Sequence, residues 1–487
     1  MSMGYEDLDN IDTPIKRYIY LREKYDTFVY RGYRIAFMPE SYHVEYDFEI
    51  EGLSEFTAKW DFPVFSSKED IDDSAFGRLL FQLGMVEAIS YYKITCPRHF
   101  KVMLSDDMAE YALTQDQCLW WRKLLYCGLG EFMYRNGIDV KEEELVDITC
   151  ATDDGSVESG TKRSGIDSGK TAAVKPYHDS RSYAGCLVPV GGGKDSVVSL
   201  ELLKDMDVIT YSVNGNETTR NVIDICDHKK GDYVARRVLD KRMLELNALG
   251  YLNGHTPFSA IVAFSSVIAA YITGRKYITL SNESSANEST VKDSFVNHQY
   301  SKSYEFERDF NAYIKDITDS DIHYFSLLRP LTELQIAAVF SKAKKYHKAF
   351  RSCNVGSKKG IWCCNCPKCL FVYIILSPFL SDDELTAIFG ERLLDKESLD
   401  KDFKELIGID ENKPFECVGT RREVAVAMKY YRARGGRSLL TDRYSHFIDM
   451  QTGNVKDMLT EWTDEHMVPA ELANRVRTAV DSVEILK

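Results

Sequence analysis

The stretch Val190-Gly191-Gly192-Gly193-Lys194-Asp195-Ser196 constrains this chain more than any other. A short apolar run, Leu187–Val190, precedes it and a helix is predicted over Val197–Met206, so the glycines read as the turn from a strand into a helix. Three glycines let the backbone bend sharply and bring its N–H groups against a ligand without interference from Cβ atoms. The helix adds free N–H groups and the positive end of its dipole. Together they make a cradle for an anion such as a phosphate. Lys194 adds a point charge, Ser196 a hydrogen-bond donor, and Asp195 a carboxylate suited to Mg²⁺. A bare glycine turn would need neither the strand before nor the helix after.

The alternation continues downstream. Asp207–Val213 reads as a second strand followed by the polar loop Asn214–Glu217, and Tyr277–Leu280 as a third followed by the polar Ser281–Glu288. Strands alternating with helices predict an α/β fold with a parallel sheet covered on both faces, in which ligands lie beyond the carboxyl ends of the strands. Val213, ending the second strand, is therefore placed with Gly191, Gly192, Gly193, Lys194, Asp195 and Ser196 in one cofactor-binding set. Pro189 is unusual in an interior strand, because it cannot donate to the ladder. The longest apolar stretch, Phe258–Ile272, is interrupted by Ser259, Ser265 and Ser266 and is short for a bilayer, which points to a buried helix.

Around this core the expected organisation has four parts. Residues 1–150 form an N-terminal α+β domain, with strands in Arg34–Phe48 and helices over Phe76–Tyr92 and Gln115–Asn136. Residues 151–182, rich in Gly, Ser and Asp, are a flexible linker or insertion. Residues 183–380 carry the nucleotide-binding α/β domain, and 381–487 a helical C-terminal segment. Tyr91, Tyr92, Trp120 and Trp121 are expected in the core and Lys93 in solvent. Arg329 and the Gly419-Thr420-Arg421-Arg422-Glu423 stretch are expected to be structural, with anion pairing as the functional alternative.

The formal net charge of -14 argues against a large phosphate-neutralising surface and hence against a nucleic-acid partner. Met1–Thr13 is acidic without an apolar core, so no export signal is read there, and a cytoplasmic enzyme with no membrane partner is expected. Of 12 cysteines, Cys363, Cys364, Cys366 and Cys369 crowd together. With Cys353 upstream, the thiolates of Cys363, Cys366 and Cys369 have the spacing of a tetrahedral zinc site. A structural Zn²⁺ clip is favoured over a catalytic metal. The other readings are buried thiols without metal, and Cys364 or Cys369 as an acid/base group.

The glycine loop matches neither GxxxxGK[ST] nor GxGxxG. It resembles the Ser-Gly-Gly-x-Asp-Ser loop of the ATP pyrophosphatases, the PP-loop enzymes, with Gly191 where the first serine would stand. A backbone N–H can replace the missing hydroxyl. Further stretches narrow the resemblance: Ser90-Tyr91-Tyr92-Lys93, Gly128-Leu129-Gly130-Glu131-Phe132, Gly254-His255-Thr256-Pro257-Phe258-Ser259-Ala260, Asn282-Glu283-Ser284-Ser285-Ala286-Asn287, Val296-Asn297-His298-Gln299-Tyr300-Ser301-Lys302-Ser303, Cys366-Pro367-Lys368-Cys369 and Phe415-Glu416-Cys417-Val418-Gly419-Thr420. Together they resemble the UDP-N-acetyl-muramoyl-L-alanyl-L-glutamate epimerases of bacterial cell-wall synthesis. The cysteine cluster also resembles the zinc site of the 7-cyano-7-deazaguanine synthases, of the same PP-loop superfamily.

The resemblance implies a PP-loop fold, the cofactors ATP and Mg²⁺, and a UDP-muramoyl dipeptide as substrate. It implies adenylation of the terminal glutamate's α-carboxylate, inversion at the α-carbon, and release of AMP and pyrophosphate. The chemistry is coherent. A free carboxylate places negative charge beside the carbon that must become a carbanion, whereas an acyl-adenylate removes that charge and lets the carbonyl accept electron density. Acid/base groups are then needed on opposite faces of that carbon. His298, Lys302, Tyr300, His255 and Glu283 are the candidates, and His298 has the best ordinary pKa for the task. Two other readings fit the loop: a different PP-loop ligase that modifies nucleobases or tRNA, and a zinc-stabilised nucleotide-binding regulator without turnover. Pyrophosphate release with and without the dipeptide separates them.

Overall fold

The computed structural model describes the whole chain except residues 1–7, 9–10, 66–70, 153–157, 162–178, 180, 288–299, 411–413, 415, 417, 484 and 487. The strands among the described residues are β1 (Thr27–Phe37), β2 (Ser41–Ile50), β3 (Ser54–Pro63), β4 (His99–Leu104), β5 (Asp147–Thr152), β6 (Glu158–Gly160), β7 (Cys186–Pro189), β8 (Val208–Val213), β9 (Gly231–Val238), β10 (Tyr277–Leu280) and β11 (His323–Ser326). The chain divides into two compact units. One comprises 1–182, 235–274 and 309–321; the other comprises 183–234, 275–308 and 322–487.

In the first unit β1, β2 and β3 form an antiparallel meander, and β4 and β5 continue in parallel beside β1. Alternation of buried and half-buried residues along β2, and along β3 from Phe56, marks a sheet with one covered face. Helix Asp73–Tyr92 begins where the Asp72 carboxylate accepts the N–H groups of Ser74 and Ala75. It packs on helix Phe258–Thr273, the apolar stretch, which is buried as expected. No described helix is long and apolar enough to cross a membrane. Trp120, Trp121, Phe264, Phe310 and Tyr313 stack into one aromatic cluster, and Trp121 Nε1 donates to Tyr313 Oη at 2.7 Å.

Three expectations need correction here. The helix over Gln115–Asn136 is two, Gln115–Gly128 and Gly130–Asn136, because the chain bends at Leu129. Within 151–182, Glu158–Gly160 is a strand antiparallel to β5. Lys93 is buried, only 6 % exposed, instead of solvated.

The second unit is built on a fully parallel sheet ordered β11-β10-β7-β8. From β7 the chain moves to one side for β8 and to the other for β10, so the strand order reverses beside β7. Ligand crevices of open parallel sheets form at such a switch point. Pro189 costs no ladder bond: pairing with β10 stops at Leu187, and Val190 N–H donates to Tyr211 O at 2.8 Å. After Ser381 the described residues contain helices and no strands, and Phe389, Leu394, Phe403, Val424 and Tyr431 join the unit's core. The architecture is mixed α/β with a helical C-terminal part.

Candidate functional site

The glycine loop leaves the carboxyl end of β7 and enters helix Lys194–Leu202. Its three glycines have different duties. Gly192 lies at φ +88°, and a Cβ there would meet the Thr218–Thr219 backbone at 2.9 Å. Gly193 opens the helix without a side-chain cap; Lys194 N–H donates instead to Ser352 Oγ at 3.2 Å. Gly191 is exposed, with no atom within 4 Å of where its Cβ would be. Gly192 O accepts from Arg351 N–H at 3.0 Å and Gly193 O from Ser196 Oγ at 3.0 Å, which fixes the carbonyls. Among the described residues the N–H groups of Gly191, Gly192 and Gly193 have no acceptor. A pinned turn with open donors at a helix N-terminus is an anion cradle.

Lys194 is fully buried, its ammonium bonded to both Asp195 and Glu333. Burial by itself would discharge the amine; the two carboxylates outweigh it and hold its pKa above the ordinary value. Glu333 opens helix Glu333–Lys342 and is itself only 1 % exposed. Burial pushes its carboxyl up, opposed by Lys194 and reinforced by Asp195 and Glu283. Glu423 ties a second helix start to the same place. Its carboxylate accepts from Glu333 N–H at 2.5 Å and Leu334 N–H at 3.3 Å, and from Thr420 N–H at 2.9 Å and Oγ1 at 2.7 Å. Gly419 packs on Glu333 and Phe371, where a Cβ would come within 3.0 Å of Glu333 Cγ. Glycine here allows the Val418-Gly419-Thr420 stretch to approach the lysine's counter-ion.

At the end of β10, Ser285 Oγ donates to the buried Glu283 carboxylate at 3.1 Å. Arg329, also fully buried, donates to Glu283 O at 2.7 Å and to Lys302 O, and pairs with Glu307 at 3.3 Å. It therefore clamps the Glu283 loop to the turn Tyr300–Lys302, a structural duty. Tyr300 is buried against Phe306. Val213 ends β8, half-buried, beside Asn214 in the left-handed region at φ +63°. His298 lies outside the described residues. His255 belongs to the first unit, where its Nδ1 sits 3.5 Å from Glu131. In the second unit the chain thus gathers the glycine loop, Lys194, Asp195, Glu283 and Glu333. Glu333 escaped sequence reasoning; the only signal was a charge at the first position of a helix with an apolar middle, between Thr332 and Gln335 of a capping box.

The sulfurs of Cys353, Cys363, Cys366 and Cys369 all lie within 4.8 Å of one another. Cys366 caps helix Pro367–Leu376 by accepting Cys369 N–H at 3.4 Å, and Gly356 N–H donates to Cys353 Sγ at 3.1 Å. Hydrogen bonding from Cys369 draws the Cys366 thiol down to about 5. Cys364, at φ +50°, turns away and donates to Phe389 O at 3.2 Å. Four sulfurs gathered this closely could supply the donors for a tetrahedral soft-metal ion.

Comparison with known proteins supplies the wider frame. Residues 20–327 match the model of the MurL N-terminal domain and 347–441 that of the MurL C-terminal domain. The UDP-N-acetyl-alpha-D-muramoyl-L-alanyl-L-glutamate epimerase of Xanthomonas oryzae pv. oryzae is 33% identical over 414 residues, 81% of this chain and 84% of that protein. Epimerases of the same name from a Micromonospora species and from Salinispora tropica are each 34% identical; both alignments cover 74% of this chain, with 76% of the first relative and 74% of the second. No solved structure matches.

Proposed function

This chain belongs to the MurL family of UDP-N-acetyl-α-D-muramoyl-L-alanyl-L-glutamate epimerases, and from that premise we propose that it converts the terminal L-glutamate of the UDP-muramoyl dipeptide to D-glutamate at the expense of ATP. The observation that supports the ATP requirement is the glycine loop: three open N–H donors at a helix start, at the switch point of a parallel sheet.

In this reading the loop holds the triphosphate and presents its α-phosphorus to the glutamate's α-carboxylate. A carboxylate oxygen forms the new P–O bond while the bond to pyrophosphate breaks. The acyl-adenylate so formed acidifies the α-C–H. One side chain removes the proton and a proton returns from the opposite face. Water then cleaves the adenylate, giving the D-glutamyl carboxylate and AMP. Asp195 and Glu283 are the carboxylates beside the loop that would hold Mg²⁺, which neutralises phosphate charge when bound. Tyr300, Lys302, His255 and His298 remain the candidates for proton transfer. The four-cysteine cluster would hold a structural Zn²⁺ that fixes the segment from Cys353 to Cys369.

Incubation with ATP, Mg²⁺ and the UDP-muramoyl-L-Ala-L-Glu substrate in D₂O tests this. Deuterium is expected at the glutamyl α-carbon with formation of AMP. Active, folded protein that yields neither would falsify the assignment. Deuterium incorporation that proceeds without ATP would remove the adenylate step alone.

A further inference from the structure

Three stretches far apart in sequence meet in the first unit, and of their residues the chemistry above draws on His255 alone. Lys93 Nζ donates to Gly254 O at 2.6 Å and to Thr256 Oγ1 at 2.8 Å. His255, between those two, faces Glu131 at 3.5 Å. Pro257 packs on Gly128, where a Cβ would lie 2.9 Å from Pro257 Cγ, and Gly254 packs on Phe132. So Ser90–Lys93, Gly128–Phe132 and Gly254–Pro257 form one built cluster.

Its charges do not balance. Arg237 is neutralised by Glu87 at 2.7 and 2.8 Å and also donates to Ser90 Oγ at 2.9 Å. Glu131 is engaged by Arg135 at 2.5 Å and by His255. Lys93, by contrast, bonds only a carbonyl and a hydroxyl, and among the described residues no carboxylate pairs with it. A buried ammonium with neutral acceptors alone is costly unless something anionic completes it. Burial, with Arg237 adding to it, draws the amine down to about 8. Gly254, His255 and Thr256 are only half-buried, so the loop over Lys93 reaches the surface.

We propose that Lys93, the Gly254–Pro257 loop and the Glu131–His255 pair form a subsite for an anionic group of the substrate, a carboxylate or a phosphate. The ammonium supplies the charge, the Thr256 hydroxyl supplies a donor, and the ion pair fixes His255 at the rim. The assignment rests on the function proposed above, and its substrate side would come from the peptide carboxylates or from the nucleoside diphosphate.

Calorimetric titration of the full chain with UDP, with L-alanyl-L-glutamate and with inorganic pyrophosphate distinguishes these sources. The wild-type chain should bind at least one of them. Lys93→Met should weaken that binding at least about tenfold, the value of one charge-assisted hydrogen bond, while Lys93→Arg stays within about threefold. MgATP affinity should be unchanged in both. Should Lys93→Met fail to fold, the wild-type pH dependence decides, because affinity should fall above pH 8 and not in Lys93→Arg. Wild-type protein that binds none of the anions, or a folded Lys93→Met that binds all of them normally, overturns the subsite. Lys93-dependent binding without deuterium exchange would instead leave the subsite standing and remove the epimerase reading.

Discussion

Lys194 shows how a single conspicuous side chain can be tied into a buried charge network. Its place in the loop suggests a phosphate ligand, yet its ammonium lies between Asp195 and Glu333, out of solvent. Lys194→Met should leave Glu333 buried without its partner and cost about 3–5 kcal/mol in urea unfolding. Lys194→Met with Glu333→Leu should recover most of that loss, because a matched apolar pair carries no desolvation penalty. If the double variant also keeps its MgATP affinity, the loop N–H groups bind the triphosphate unaided. Lys93 gives a second test. Its folded pKa of about 8 lies below the ordinary 10.5. Above pH 10.5 both states are neutral and no penalty exists. As pH falls toward 8 the unfolded chain takes the proton first, so stability drops, by about 3 kcal/mol, and is flat below. The difference in stability between wild type and Lys93→Met, followed from pH 7 to pH 10.5, should trace that curve. At this scale the contiguous residues were legible as a local unit: Gly191 to Ser196 lie in one strand-to-helix turn. Glu333 was not, because it meets Lys194 across 139 positions and no spacing rule reaches that far. Lys93 was misplaced because an isolated lysine carries no sign of the loop that will cover it.

Elements were read well where an apolar run stood out from its polar flanks. Tyr277–Leu280 is β10 to the residue, and the apolar stretch from Phe258 is one buried helix. Boundaries slipped where caps decide them: helix Lys194–Leu202 starts directly after its N-cap Gly193 and stops short of Met206, with Leu203 as its C-cap. The loop itself invites a paired experiment. Gly192→Ala forces a left-handed alanine into the Thr218–Thr219 backbone and should lower the melting temperature by several degrees. Gly191→Ala meets nothing within 4 Å, so both the melting temperature and the affinity for MgATP should hold. The cysteine cluster makes the complementary case. If the four sulfurs carry Zn²⁺, chelation should reduce thermal stability and release one equivalent of metal, and Cys366→Ser should abolish both effects.

The two units are not successive segments of the chain. The first unit takes its third part from 309–321, and the second begins at 183, so each is threaded through the other's sequence. Trp121 stacks on Phe264 and bonds Tyr313, so the first unit's aromatic cluster draws on all three of its segments. A fragment ending at residue 182 lacks Phe264, Phe310 and Tyr313 and is expected to show neither cooperative unfolding nor native near-ultraviolet dichroism. Recovery of native dichroism by that fragment alone would contradict it. None of this was legible in composition, because a boundary read along the chain assumes that each domain is one segment.

That threading also sets a timetable on the ribosome. Once residue 182 has been added, another 139 residues, from 183 to 321, must be polymerised before the first unit's last segment exists. At about 5–20 residues per second this is a wait of roughly 7 to 28 seconds. Throughout it the nascent chain carries the faces of Trp120 and Trp121 without Phe310 and Tyr313, so holdase chaperones should find their binding window there and lose it when synthesis passes residue 321.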